Sequence, residues 1–206
     1  MKQRPSSRRW LDRHLNDEYV KLAQRQGWRS RAVFKLLEIQ ERDQLLRPGL
    51  SVVDLGAAPG GWSQLAQRLV GSSGRVVALD LLALEPLPEV TFLQGDFREE
   101  ALLQELEVLL AGEPVDLVIS DMAPNVTGVA SVDQPRSIYL CELALDFARS
   151  HLKPGGNFLV KVFQGEGFDD YVRDLRSSFA RMVTRKPKAS RPQSREVYLV
   201  GLNFKG

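Results

Sequence analysis

Residues 52–69 read "VVDLGAAPGGWSQLAQRL": an apolar run reaches Asp54 and passes into a loop holding three glycines and Pro59 before a helical pattern resumes. Glycine accepts positive φ and lets backbone approach a bound molecule closely, and proline stiffens the turn. Such a loop suits a strand that delivers backbone to a ligand. It suits an ordinary strand-to-helix turn as well. Three further acids, Asp80, Asp96 and Asp121, close the apolar runs "VVALD", "FLQGD" and "VISD". A carboxylate a little over twenty residues beyond the loop, where Asp80 lies, can accept both hydroxyls of a ribose. Taken singly, a strand-terminal Asp is more often a turn residue or a helix cap. The loop is neither G-x-G-x-x-G nor a P-loop, because no lysine follows its glycines. A ligand with a ribose but no phosphates, such as S-adenosylmethionine, fits better.

A second group of residues has the types needed for proton transfer. Lys161 sits inside the apolar run "NFLVKVF", where a lysine is rarely buried without a partner. An edge strand with the amine reaching water is the plain alternative. Glu196 opens the last apolar run and either reaches the same crevice as Asp121 or lies on a solvent face. Lys35, among Val33, Phe34, Leu36 and Leu37, reads by spacing alone as a surface lysine. Cys141 falls on a buried helical stripe and reads as packing.

These residues need elements to position them. Periodicity predicts helix within 16–47, interrupted around Gly27, and then strands at 51–56, 74–82, 90–97 and 115–124 separated by helices at 61–71 and 98–112. A long helix from Gln134 stops at "KPGG"; a strand at 157–165, a helix at 168–179, a Pro- and Arg-rich loop at 185–195 and a strand at 196–204 follow. Short apolar strands alternating with amphipathic helices indicate an α/β fold, a mostly parallel sheet covered on both faces. In such a sheet ligands sit beyond the carboxyl ends of the strands, where the loop and the three acids would meet.

The chain has 206 residues, enough for one α/β domain spanning 1–206, and is 43% hydrophobic and 26% charged. No apolar run approaches the length of a membrane helix, and the basic start lacks the apolar core of a secretory signal. A single cysteine excludes an internal disulfide and a Cys-based zinc cluster, so a cytoplasmic protein without a metal site is expected. The net charge of +2 conceals an asymmetry. Residues 1–35 carry ten Lys or Arg against three acids, and 181–195 carry six against none. Basic ends on an acidic body suggest a face for a polyanion such as RNA, with residues 1–30 as a basic extension; solvated tails are the bland alternative.

The segments "LRPGLSVVDLGAAPGGWSQ", "FLQGDFREE", "ISDMAPN", "ALDFARSHLKPGGNFLVKVFQGEGFDDY" and "RKPKASRPQSREVYLV" together resemble, in order, the motifs of the bacterial FtsJ/RrmJ (RlmE) family of large-subunit ribosomal RNA 2′-O-ribose methyltransferases. That resemblance implies a Rossmann-like S-adenosylmethionine-dependent methyltransferase fold with a seven-stranded sheet. It implies methylation of a uridine ribose in 23S rRNA within the large ribosomal subunit; a monomer is expected. It matches Gly60, Trp62, Asp80, Asp96 and Asp121 to cofactor contacts, and Lys35, Asp121, Lys161 and Glu196 to a catalytic tetrad in which Lys161 takes the proton of the attacking hydroxyl. Lys35 is thereby lifted out of its plain reading. A second ammonium at Lys35 disfavours charge on Lys161, while Asp121 and Glu196 favour it and fix its direction. Two lysines that stay charged and stabilise a developing alkoxide are the alternative. Competing readings are methylation of tRNA, and an RNA-binding assembly factor with a vestigial pocket.

Overall fold

A computed structural model describes residues 17–125 and 127–206, so most of the basic extension, Trp10 included, lies outside the described residues. Seven strands form one sheet: β1 (Ser51–Leu55), β2 (Arg75–Asp80), β3 (Val90–Gln94), β4 (Val115–Ser120), β5 (Leu152–Phe163), β6 (Phe179–Arg185) and β7 (Glu196–Phe204). Their order is β3-β2-β1-β4-β5-β7-β6. Pairings from β3 across to β5 are parallel, and β7 runs antiparallel to both of its neighbours. The expected Rossmann-like, mostly parallel α/β sheet is what the chain forms.

Alternation along the strands divides the core in two. Val53, Leu55, Val77, Val118, Phe158 and Val160 pack with α4 (Glu100–Leu110), α5 (Ala130–His151) and α6 (Phe168–Ser178). Val52, Val76, Leu117, Leu159, Tyr198 and Val200 pack with α1 (Glu18–Arg25), α2 (Val33–Asp43) and α3 (Gly61–Val70). Period-two alternation is the reason, since neighbouring residues on a strand point to opposite faces.

Several boundaries differ from expectation. The interruption expected around Gly27 is a turn, with Gly27 at φ 69°, that parts two helices, Glu18–Arg25 and Val33–Asp43; other boundaries shift. α5 begins at Ala130 rather than Gln134 and holds Pro135 inside it. The "KPGG" stretch expected as a stop belongs to the irregular start of β5, where the register against β4 shifts between Val115 and Leu117. β3 ends at Gln94, so Asp96 lies in the turn beyond it. β6 had no strand signal: its outer residues Ala180, Arg181 and Thr184 are exposed and its run "FARMVTR" does not alternate cleanly.

β6 pairs antiparallel with β7, and one buried ring, Phe179, packs it across that strand. Phe179 stacks on Phe158 at 6.2 Å and tilts against Phe204 at 5.5 Å, crossing β7 where it has no side chain. A Cβ at Gly201 would stand 2.7 Å from the Phe179 ring. Gly201→Ala is therefore expected to destabilise the fold by about 1–3 kcal/mol. Urea unfolding would show it as a lower midpoint at unchanged slope, and a midpoint equal to wild type would mean that β6 is not fixed by this contact.

Candidate active site

The carboxyl ends of β2, β1 and β4 open into a cavity of about 630 Å³. Gly56, Ala58, Asp80, Leu81, Asp96 and Asp121 are among its lining residues. The Gly-rich loop forms its floor, because the Gly56 and Ala57 amides both donate to the Leu79 carbonyl, at 2.8 and 3.0 Å. Gly56 takes φ 81°, and a Cβ there would stand 2.6 Å from the Met122 side chain. Only glycine lets these two loops approach so closely.

Asp80 is rigidly presented. Its Oδ2 accepts the Ala58 amide and its Oδ1 the Leu82 amide, both at 2.8 Å, and each oxygen keeps a lone pair for a further donor. Asp96 is engaged by Arg98, whose side chain and backbone amide hydrogen-bond its carboxylate and hold it at about 2. Leu81, Leu82 and Tyr139 are large apolar side chains left exposed around the cavity, as expected of a surface that a ligand covers.

Two sequence-predicted cofactor residues do not line the cavity. Gly60 is the N-cap of α3 at φ 102°, packed near Arg29 and Leu84. Trp62 is 3% exposed, donates its indole N–H to the Ala32 carbonyl at 2.8 Å and packs on Tyr198. Its indole belongs to the core beneath α2, leaving its backbone as the part nearest the loop.

The four tetrad residues do converge. Lys161, on an interior strand and 7% exposed, donates to the Asp121 carbonyl at 2.6 Å and lies 3.0 Å from Asp121 Oδ1. Lys35 on α2 lies 2.7 Å from Glu196 Oε1. The edge-strand alternative for Lys161 is thus excluded, and Lys35 is no surface lysine. Alternation explains the meeting: Lys161 and Glu196 share the face of Leu159, Tyr198 and Val200, which α2 covers. Burial raises the Glu196 carboxyl, but the charge and hydrogen bond of Lys35, with Ser190 and Lys161, outweigh it, so it sits below its ordinary value.

Three participants were not singled out by sequence reasoning. Tyr198 donates to Asp121 Oδ1 at 2.9 Å, and burial followed by the nearby Asp121 charge pushes its hydroxyl well above its usual value, so it remains a donor. Its place two residues after Glu196 on one strand was the available signal. Gln134, buried on α5, donates to the carbonyls of Phe163 and Glu166 and ties down the turn after β5. Asp54 is fully buried beneath the loop, accepting from Ser63 Oγ at 2.6 Å while its Oδ1 has no hydrogen-bond partner. Burial pushes this carboxyl up to about 7. Cys141 is packing as expected, its thiol bonded to the Lys161 carbonyl at 3.2 Å and pushed by burial up to about 12.

On the basic side, Arg185 is neutralised by Asp43, at 2.8 and 2.6 Å, and Lys186 donates to the Ser194 and Glu196 carbonyls. Lys188 and Arg195 are exposed. Trp28 is half-buried with the Arg68 guanidinium 4.3 Å from its ring centre. Among the described residues no cluster of three or more His, Cys, Asp or Glu could hold a metal ion, and no helix is long and apolar enough to cross a membrane.

Comparison with known proteins adds to this geometry. The FtsJ-like methyltransferase family matches residues 28–204. The chain is 61% identical over 202 residues, 98% of each chain, to Ribosomal RNA large subunit methyltransferase E of Methylobacillus flagellatus. It is 62% identical over 205 residues, the full length of both, to the protein of that name from Azoarcus sp.. Among solved structures, a chain from Plasmodium falciparum described as a ribosomal RNA methyltransferase superposes with a TM-score of 0.79 at 28% identity, covering 87% of this chain and 100% of that one.

The buried carboxyl gives a pH prediction. Unfolded, Asp54 titrates near ~4; folded, at about 7. Between these values the folded state holds a proton that the unfolded state lacks, so stability falls as pH rises through the window and levels off above it. Asp54→Asn removes that slope. Urea midpoints at about pH 5 and about pH 8 should shift in favour of the variant at the higher pH, whereas an equal gap at both would remove Asp54 as a titrating group.

Proposed function

Because the chain belongs to the FtsJ-like methyltransferase family, we propose that it transfers a methyl group from S-adenosylmethionine to the 2′-oxygen of a ribose, a uridine, in the 23S rRNA of the large ribosomal subunit. The observation that carries this reading is Lys161: a buried amine fixed by Asp121, beside the end of a cavity suited to a nucleoside.

The residues present fit the cofactor. A volume of about 630 Å³ lies within the usual range for a small-molecule site. The free lone pairs of Asp80 suit ribose hydroxyls, the Gly56 turn leaves room for backbone contact, and Asp96 and Asp121 supply acceptors along the remaining wall. Gly60 and Trp62, which do not line the cavity, cap and brace the helix behind its loop. Bound there, S-adenosylmethionine supplies a methyl carbon activated by a sulfonium.

What the chain must then do is hold an alcohol oxygen in line with that carbon and remove its proton. Lys161 Nζ is the proton acceptor. Asp121, fixed in turn by Tyr198, directs the amine, and Lys35 with Glu196 flanks it on the α2 side, where a cation stabilises charge growing on the oxygen. A lysine base suits an alcohol better than an aromatic amine, which favours ribose over base methylation. The exposed Lys188 and Arg195, together with the basic 1–30 extension, supply contacts to RNA phosphates. The protein would act in the cytoplasm, where ribosomes are assembled.

Transfer of labelled methyl from S-adenosylmethionine to unmethylated large subunits, naked rRNA and tRNA, followed by nucleoside analysis, tests this reading. A 2′-O-methyluridine formed on large subunits is expected. Label on tRNA would move the substrate assignment, and cofactor binding without transfer would leave an assembly factor. Lys161→Ala should lower kcat by about 10²-fold or more with cofactor affinity intact. Glu196→Gln should cost less, since Glu196 touches Lys35 and not Lys161.

A further inference from the structure

Glu38 lies one turn beyond Lys35 on α2, outside the ion pairs around Lys161. Its carboxylate spans two consecutive backbone amides of the basic loop: Oε2 accepts from Lys188 N at 2.8 Å and Oε1 from Ala189 N at 2.9 Å. Arg31, just before the same helix, donates to the Ala189 carbonyl while pairing with Asp17. Both polarities of one backbone segment are therefore held by side chains of α2 and its approach. Ala189 is fully buried in the core under α2, so the grip is backed by packing.

This loop leads directly into Glu196, and its two ends are closed on themselves by Lys186, which donates to the Ser194 and Glu196 carbonyls. Lys188 and Arg195 are left exposed on it. A single carboxylate thus fixes residues 188 and 189 of the loop that ends at Glu196.

We infer that Glu38 is a positioning residue for the reaction, one that holds the 186–195 loop so that Lys35 keeps its Glu196 partner and Lys188 and Arg195 meet the phosphates of the RNA. The inference rests on the RNA methyltransferase reading above. Glutamate is required because both oxygens must accept; glutamine would set an amide NH₂ against one of the two N–H donors. Charge-assisted bonds to backbone amides are also stronger than neutral ones.

Glu38→Gln in the full chain tests it with readouts of two kinds. Amide hydrogen exchange at residues 188 and 189 should accelerate. In methyl transfer to large subunits, KM for the subunit should rise and kcat fall, together lowering kcat/KM by about tenfold, with cofactor affinity and melting temperature near wild type. Lys188→Ala should raise KM alone and leave exchange at Ala189 unchanged. Accelerated exchange with unchanged kinetics would overturn the positioning role, as would unchanged exchange. Parallel loss of cofactor affinity and stability would make Glu38 a purely structural residue and overturn it too. Inactivity of the wild-type protein on large subunits would instead sink the underlying reading, while the exchange result would still report whether the grip exists.

Discussion

A lysine amine held out of water at the carboxyl edge of an interior strand is the constraint around which this molecule is arranged. An unpaired buried cation costs several kcal/mol, so Lys161 requires an acid within reach. Sheet register supplies it. Ser120, the last residue of β4, pairs with Val160 on β5, and the next residue along each chain is Asp121 and Lys161. Sheet register thus sets the acid, first residue of the loop after β4, beside the amine on β5. Asp121 in turn donates its amide to the Leu55 carbonyl at 3.2 Å, which binds this pair to the end of β1 and to the Gly-rich loop. Asp80, Gly56, Asp121 and Lys161 consequently line one edge in the order of their strands.

Strand direction accounts for the fourth member. A parallel strand offers its last residues to that edge, whereas an antiparallel strand offers its first. β7 is the strand that runs backward, and its first residue, Glu196, pairs with Phe163 at the end of β5. Alternation then turns Glu196 to the face on which α2 lies. A helix packed there can reach both acid and lysine, and Lys35 does so at 2.7 Å from the Glu196 carboxylate. Fold topology and site chemistry are here one problem, since reversing β7 would remove Glu196 from the edge.

Much of this was legible because it follows from local rules. The strand-terminal acids, the glycine loop and Lys161 inside an apolar run are visible in single segments, and period-two alternation predicts which faces they occupy. Lys35 was not legible from spacing, because its meaning depends on α2 crossing the sheet at β5 and β7, a contact between residues 161 positions apart in the case of Glu196. β6 failed for a different reason: an edge strand with exposed residues on both sides needs no hydrophobic alternation, and it is held by its ladder to β7 with the Phe179 ring packed over Gly201. The packed indole of Trp62 was missed for a similar reason. An indole at the start of α3 looks like a cofactor contact in a motif, yet its N–H is satisfied by the Ala32 carbonyl in the core. A motif records which residues recur, and the same residue type serves backbone placement or packing equally well.

The two ion pairs are also not independent. Tyr198 donates to Asp121 on one side, and its ring lies 5.7 Å from the Lys35 ammonium on the other. Its hydroxyl stays protonated because burial and the adjacent acids oppose ionisation. The link therefore adds rigidity without adding charge. A charged residue in that fully buried position would shift the balance between two lysines and two carboxylates and would need a further partner. A neutral donor satisfies Asp121 and keeps one of its oxygens near Lys161, while the aromatic face accommodates the neighbouring cation. The site can thus hold two lysine side chains close together in a water-poor setting, with each acid committed to a different lysine and the tyrosine bridging the two pairs.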